Sequence, residues 1–324
     1  MSADVPMFVW KPELGQYRPN PAYVPPVPPT PLAAIPPPIH CATDPAGRIR
    51  PRVPWGEYIA LAGVSISRLK EIRRSPQHYR YAIHAPKESG ALSLGTAAHS
   101  AVLEPDLFES DFVVWDRTTE SGDSAPRRGK AWEEFKANAG GRRIITVAER
   151  DGAIEISNAV HSDPTARAYL EAGEPEVVLE WSNGRACKGR VDWLTSAAGE
   201  PVIVGLKTCR DVRPRAFGRD AARLAYHMQW AFYRDGYEAI TGRVPMIVEI
   251  VVESAPPYAV GVYRVTQDIL DQGREDYERL LADLAACEAS GEWPGPITGE
   301  QELALPSWIY GHDGNDVSEL GLEE

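Results

Sequence analysis

The sequence predicts an α/β fold in which helices flank one central mixed β-sheet. The main observation is the order of the hydrophobic patterns, which indicate helices, three strands, a helix, two strands and a final helix. The composition agrees with this prediction, because 43% hydrophobic and 25% charged residues are ordinary values for a globular protein of 324 residues. The sequence also shows no internal repeat.

The first half of the predicted body is helical. Residues 65–75 (SISRLKEIRRS) open with a capping serine and place Leu69 and Ile72 on one helical face. Residues 94–103 (LGTAAHSAVL) are rich in small side chains, which predicts a helix that packs closely. Further helical patterns span about 127–138 and 146–171.

After these helices, the spacing of the hydrophobic residues changes to one that is typical of strands. Three β-rich segments follow at 176–182, 185–195 and 201–208, separated by turn residues. A long amphipathic helix is predicted over about 214–241. Two more strands, PMIVEIVVES and YAVGVYRV, flank a Pro-Pro turn, and a last helix over about 267–290 ends at Gly291.

The two ends of the chain differ from this body, which we expect to span residues 56–309. Residues 1–55 hold 15 of the 29 prolines, and proline fixes φ and removes a backbone donor. We therefore expect an extended, polyproline-like arm there. Residues 310–324 are polar and acidic, which predicts a flexible tail.

Charge and cysteine content exclude several classes of protein. The net charge of −12 argues against a protein that coats nucleic acid through bulk charge, although local basic clusters are present. Four scattered cysteines with no CxxC pair exclude a zinc knuckle and make a disulfide framework improbable. The sequence contains no apolar run of about 18 residues and no secretory signal, so we expect a cytoplasmic protein without a membrane span.

Several residues have chemistry that a catalytic site would need. Asp192 lies in the strand segment GRVDWL, and Lys207 follows in VIVGLKT on the next strand. A carboxylate binds hard divalent cations, and a lysine offsets charge on a phosphate or orients a water. Alone, these two residues are better explained as an unrelated surface pair.

Other candidates are equally open on their own. His99 is an unusual residue in a helix of small side chains, and it is either a ligand or a hydrogen-bonded core histidine. Glu180 is either a site carboxylate or the solvent-facing position of its strand. Gln229 and Tyr233 are spaced i, i+4 and so project from one helical face.

Taken together, six segments resemble the RecE-like (exonuclease VIII type) branch of the PD-(D/E)XK nucleases, which is related to the RecB-type nuclease domains and lambda exonuclease. The segments are SPQHYRY (75–81), LGTAAHSAVLEP (94–105), GRVDWL (189–194), VIVGLKT (202–208), YHMQWAFYRDGY (226–237) and EWPG (292–295). They follow the order of the family and cover about residues 60–295. The resemblance implies a restriction-endonuclease-like core that hydrolyses DNA phosphodiesters with Mg²⁺ or Mn²⁺.

The resemblance also implies roles for the candidate residues. By position, His99 and Asp192 match metal-binding residues, Lys207 matches the catalytic lysine, and Gln229 with Tyr233 matches the QxxxY helix beside the site. Relatives digest linear duplex DNA from its ends, typically 5′→3′, in phage or prophage recombination. The implied partners are double-stranded DNA ends, a single-strand annealing recombinase and further copies of the chain in a ring. The cysteine spacing does not match the iron–sulfur cluster of some RecB-type nucleases.

One position departs from the family pattern. The family has an acidic residue two positions before the lysine, where this sequence has Gly205. Three explanations stay open: an inactive chain, a carboxylate that reaches in from elsewhere, with Glu180 as the candidate, or metal binding through His99, Asp192 and the Leu206 carbonyl. The alternative function is therefore a catalytically silent module that binds DNA ends.

A basic run follows the lysine strand, from Arg210 to Arg223. We expect Arg210, Arg213 and Arg215 to contact DNA phosphates. Because backbone contacts carry no base information, we expect no sequence preference.

Overall fold

The computed structural model describes residues 8–11, 16–20, 47–84, 93–119 and 125–306. The predicted tail over 310–324 and most of the proline-rich arm lie outside this part of the chain. Within the first 20 residues, the described part of the arm forms strands β1 (Phe8–Lys11) and β2 (Gln16–Pro19), an antiparallel pair. Phe8 is buried against Phe108, so this part of the arm packs on the body.

The elements of the first half are mainly helical. They are β3 (Arg48–Arg50), α1 (Trp55–Ala60), α2 (Ile66–Leu69), a 3₁₀ turn (Lys70–Arg73), α3 (Pro76–His84), α4 (Ser93–Leu103), α5 (Pro105–Asp111), β4 (Phe112–Trp115), α6 (Lys130–Asn138), β5 (Arg143–Thr146), α7 (Val147–Ser162) and α8 (Pro164–Leu170). The parallel pair β4–β5 is an element that the sequence did not predict.

The second half carries most of the main sheet. Its elements are β6 (Glu174–Ser182), β7 (Ala186–Ala197), β8 (Glu200–Cys209), α9 (Pro214–Arg223), α10 (Tyr226–Thr241), β9 (Met246–Glu253), β10 (Val260–Arg264) and α11 (Gln267–Ser290). The six strands lie in the order β10-β9-β8-β7-β6-β3. Only the β8–β9 pair is parallel within this sheet, and the other pairs are antiparallel. The sheet is therefore mixed, as predicted, and it begins at Arg48 rather than after residue 55.

Two predicted helices are interrupted for local reasons. The helix expected over 146–171 breaks at Asp163, whose carboxylate caps α8 by accepting from the backbone N–H of Thr165 and Ala166. The helix expected over 214–241 breaks at Ala225, which adopts a left-handed conformation with φ of 53°. The predicted end at Gly291 is confirmed, since this glycine caps α11 with φ of 73°.

Helices cover both faces of the sheet. On one face α10 packs closely, because Gly236 leaves room for the Trp181 ring and Gly189 leaves room for the Tyr233 ring. On the other face lie α4 and α7, where buried Ala97, Ala98 and Ala101 allow a close approach. Among the described residues no helix is long and apolar enough to cross a membrane.

Candidate active site

Neighbouring strands bring Asp192, Gly205 and Glu249 together. Gly205 of β8 is the registered partner of Glu249 on the parallel strand β9. The antiparallel pairing of β7 with β8 ends at Trp193 and Val204, one step before Asp192 and Gly205. The structure therefore places two carboxylates, on two different strands, around a position that has no side chain.

Glu249 occupies the space beside Gly205. A Cβ atom added at Gly205 would lie 2.4 Å from Glu249 Oε2 and 2.6 Å from Oε1, which is closer than such atoms approach. The side chain of Glu249 is only 1% exposed, so it cannot easily move away. An acidic residue at position 205 and a glutamate at position 249 are thus alternatives for the same volume.

Lys207 connects the two carboxylates. Its Nζ lies 3.2 Å from Asp192 Oδ2 and 3.3 Å from Glu249 Oε1, and it donates to the Leu206 carbonyl at 3.1 Å. Burial disfavours the charge on this ammonium, but Asp192 and Glu249 outweigh burial and raise the pKa of Lys207. Lys207 therefore stays charged at neutral pH.

Asp192 is held in its ionised form. Its Oδ2 accepts a hydrogen bond from the Leu206 backbone N–H at 2.9 Å. Burial alone would raise its pKa, yet Lys207, His99 and this hydrogen bond together lower the pKa of Asp192. A buried carboxylate of this kind is a ready oxygen ligand for a hard cation.

His99 reaches the same place from α4. Its ring hydrogen-bonds to the backbone of Leu206 and lies within electrostatic range of Asp192. Burial is the largest influence and lowers the pKa of His99, which favours the neutral imidazole. The structure thus brings together all three residues for which metal binding was expected, His99, Asp192 and Leu206.

Glu249 has a different environment from Asp192. The indole N–H of Trp230 donates to its Oε2, whereas its buried Oε1 accepts no well-aligned hydrogen bond from the part of the chain described. Burial is the main cause that raises the pKa of Glu249, and the Lys207 charge only partly opposes it. The Oε1 atom of Glu249 is ion-paired with the Lys207 ammonium at 3.3 Å, and its remaining lone pair can still bind a cation or a water.

Gln229 and Tyr233 line the same small cavity as these carboxylates. The Gln229 side-chain amide donates to the Tyr233 hydroxyl at 3.1 Å, so the two residues form one unit on α10. The cavity measures about 10 Å³, which is the size of a single water molecule. They therefore lie beside the carboxylates, whereas no described contact places them on a nucleic-acid surface.

Glu180 lies away from this cluster. It is registered with Lys188, four residues from Asp192 on β7, and four residues span about 13 Å along a strand. Its Oε1 instead accepts from Arg50 at 3.4 Å. We expected Glu180 as the carboxylate that reaches in for the missing acid, but it lies too far from Gly205. The carboxylate beside Gly205 is that of Glu249.

The predicted phosphate contacts lie on the surface after β8. Arg210, Arg213 and Arg215 are all exposed. The guanidinium of Arg213 bonds the Asp211 carboxylate through Nε at 2.9 Å and Nη2 at 2.6 Å. Arg213 is thus already partly neutralised, and Arg215 is the freer cation of the two.

The donor set of the site suits a divalent metal of the hard, oxygen-binding type. Among the described residues no three His, Cys, Asp or Glu side chains converge closely enough to hold an ion by themselves. Mg²⁺, however, is commonly held by one or two carboxylates together with waters and substrate phosphates. Asp192 and Glu249, the two carboxylates that flank Lys207, provide oxygen ligands of this kind.

Sequence reasoning missed Glu249, although a signal was present. The strand MIVEIVVE has one acidic residue between apolar neighbours that are buried on both faces. A glutamate in such a strand needs a partner, and the partner here is Lys207. The link between them was invisible, because it depends on the β8–β9 register and not on spacing along the chain.

Comparison with known proteins shows that most of the chain matches one protein family. Residues 65–303 match the family described as "PDDEXK-like domain of unknown function (DUF3799)". No curated protein matches the sequence.

Two solved structures match this chain to different extents. The crystal structure of a "Putative exonuclease" from Eubacterium rectale is 15% identical with a TM-score of 0.50, over 78% of this chain and 94% of the other. At this identity the similarity shows a shared fold alone. The crystal structure of SSO0001 is 12% identical with a TM-score of only 0.29, over 69% of this chain and 81% of the other. The family match and the first of these structures confirm the predicted fold class.

Proposed function

Since the chain belongs to the PDDEXK-like family DUF3799, we propose that it is a metal-dependent deoxyribonuclease that hydrolyses phosphodiester bonds at the ends of linear duplex DNA. Digestion in the 5′→3′ direction, a role in phage-type recombination beside an annealing recombinase, and Mg²⁺ or Mn²⁺ as the ion are supported by the resemblance to RecE-like nucleases. The family match supports the nuclease class itself.

The observation that carries the proposal is the carboxylate of Glu249 beside Gly205. With Asp192 it provides two acidic side chains around one lysine, which is the donor set that the D-x-K pattern provides in the family. The glycine at 205 is then no sign of an inactive site. It is the residue that leaves space for a carboxylate from the next strand.

The residues have separate tasks in this proposal. A bound divalent cation supplies Lewis acidity that makes a water more acidic and offsets phosphate charge. Asp192 and Glu249 hold the cation, and the charged Lys207 stabilises the negative charge that develops on the phosphate. Gln229 and Tyr233 keep the carboxylates in position from α10.

A carboxylate swap tests this assignment. End-labelled linear duplex is digested with Mg²⁺ or Mn²⁺ by the wild type, Lys207→Ala, Glu249→Gln, Gly205→Asp and the double variant Gly205→Asp/Glu249→Ala. We expect the wild type to cut, and Lys207→Ala and Glu249→Gln to lose at least about a hundredfold in rate. Gly205→Asp alone should also lose activity, because its side chain overlaps Glu249.

The double variant distinguishes the role of Glu249 from a structural one. It moves the acid from β9 back to β8, and we expect it to recover a measurable part of the wild-type rate. Glu180→Gln is the matched control, because this carboxylate lies outside the cluster, and it should keep full activity. A wild type that binds DNA and does not cut it would support the silent end-binding module instead.

A further inference from the structure

Lys70 lies next to the candidate active site without belonging to the family pattern. It is part of the 3₁₀ turn after α2, and its Nζ donates to the Leu224 carbonyl at 3.2 Å. The same Nζ is 5.6 Å from the centre of the Tyr226 ring, and Lys207 Nζ is also 5.6 Å from that centre. One aromatic ring is therefore shared by the catalytic lysine and a second ammonium group.

This second ammonium has no carboxylate within ion-pair distance in the part of the chain that the structure describes, and the Glu249 charge acts on it only from farther away. The adjacent Glu71 pairs with Arg74 at 3.3 Å. Burial, reinforced by the Lys207 charge, lowers the pKa of Lys70 to about 7. Lys70 is half-buried, and among the described residues its ammonium donates one hydrogen bond, so a ligand that supplies negative charge would stabilise it.

The surroundings of Lys70 indicate what that ligand is. Arg215, Arg219 and Arg223 follow each other at intervals of four residues on α9, so they share one exposed face, which we call the α9 basic face. Arg223 is paired with Asp220 at 3.0 Å, so Arg215 and Arg219 contribute most of the positive charge of this face. Four helical residues rise about 6 Å, and the face ends at Arg223, directly before Leu224. Lys70 is bound to the Leu224 carbonyl, so it connects this face with the site around Lys207.

We propose that Lys70 binds a backbone phosphate of the DNA strand, adjacent to the phosphodiester that Lys207 faces. This inference rests on the proposed nuclease function and adds a substrate contact to it. The strand would run from the carboxylates past Tyr226 and Lys70 onto the α9 basic face. A phosphate fits better than a carboxylate ligand, because several cations in a row match the repeating charge of a nucleic-acid backbone.

Equilibrium binding tests the proposal without any cleavage. Binding of a fluorescein-labelled blunt duplex is followed by anisotropy in EDTA at several KCl concentrations. We expect Lys70→Met, which keeps the apolar stem, to weaken binding about tenfold and to reduce the slope of log K against log salt by about one. Lys70→Arg should keep the slope, and Arg74→Met, an exposed and paired cation on the next turn, should leave affinity and slope unchanged.

A second measurement uses the wild-type protein, in case Lys70→Met folds poorly. Brief acetylation with acetic anhydride, followed by peptide mass spectrometry, reports how reactive each lysine is. We expect DNA to protect Lys70, whereas the exposed Lys130 on α6 stays equally reactive.

The outcomes separate the two proposals. Failure of the wild type to bind DNA would overturn the nuclease function. If the wild type binds DNA but Lys70→Met keeps the same salt slope, the phosphate contact is overturned. The same holds if DNA does not protect Lys70 from acetylation. Lys70 would then be only a cap for the end of α9.

Discussion

At the scale of single residues, position 205 determines where the second carboxylate of the site lies. A side chain added at position 205 would need the same volume beside Lys207 that the Glu249 carboxylate fills. Asp192, Lys207, His99 and the departure at Gly205 were all visible in the sequence, because each lies in a short segment with a recognisable pattern. Glu249 was not, because its role follows from strand pairing.

The tight contact at Gly205 has a measurable consequence. Gly205→Ala should destabilise the protein by about 1–3 kcal/mol, because a methyl group there overlaps the Glu249 carboxylate. Gly218→Ala on α9 is the matched control, since an added Cβ meets no neighbour within 4 Å, and it should stabilise the helix by about 0.5–1 kcal/mol. Urea unfolding of both variants checks the prediction, and equal effects of the two substitutions would contradict it.

At the scale of elements, strands were predicted better than helix boundaries. The predicted strands correspond to β6 to β10, because alternating or continuous β-branched runs between turn residues are strong signals. The breaks at Asp163 and Ala225 depend on one cap and one left-handed residue inside otherwise helical patterns. The pair β4–β5 was missed because each strand has only four residues.

Strand β6 includes a group that titrates near neutral pH, at a position that the register with β7 skips. Glu176 forms an ion pair with Arg190 at 2.5 Å, yet burial outweighs this partner and raises the pKa of Glu176 from 4.5 to about 7. Because the folded state binds this proton more tightly than the unfolded chain, the resulting stabilisation is present below about pH 4.5 and is lost as the pH rises through about 7.

This pH dependence is tested by comparison with Glu176→Gln, which cannot titrate. Between pH 4 and pH 8 the unfolding free energy of the wild type should fall by about 3 kcal/mol relative to that of the variant. Urea unfolding at several pH values measures the difference. A difference that stays constant across this range would show that Arg190 keeps Glu176 ionised throughout.

At the scale of the whole molecule, the protein has a local basic surface although its net charge is −12. The basic run after β8 was identified from the sequence. Which of its arginines form ion pairs was not, because ion pairs depend on side-chain rotamers that a sequence pattern does not determine. Arg213 is bound to Asp211, whereas Arg215 and Arg219 lie exposed on one face of α9.

Binding should reflect this difference. Arg215→Ala should weaken the binding of linear duplex DNA and reduce the salt slope by about one, whereas Arg213→Ala should change both less, because Asp211 already screens its charge. Anisotropy titrations at several salt concentrations measure both quantities. An effect of Arg213→Ala as large as that of Arg215→Ala would show that DNA displaces Asp211.

The position of Glu249 also changes how related sites should be searched for. A pattern that requires an acid two residues before the lysine rejects this chain, although both carboxylates are present in space. The pattern that fits is a glycine two residues before the lysine and a glutamate 42 residues after that lysine, within a buried apolar strand. Chains that carry this split signature would be dismissed as inactive by a motif search, and recovered by one that pairs the two strands.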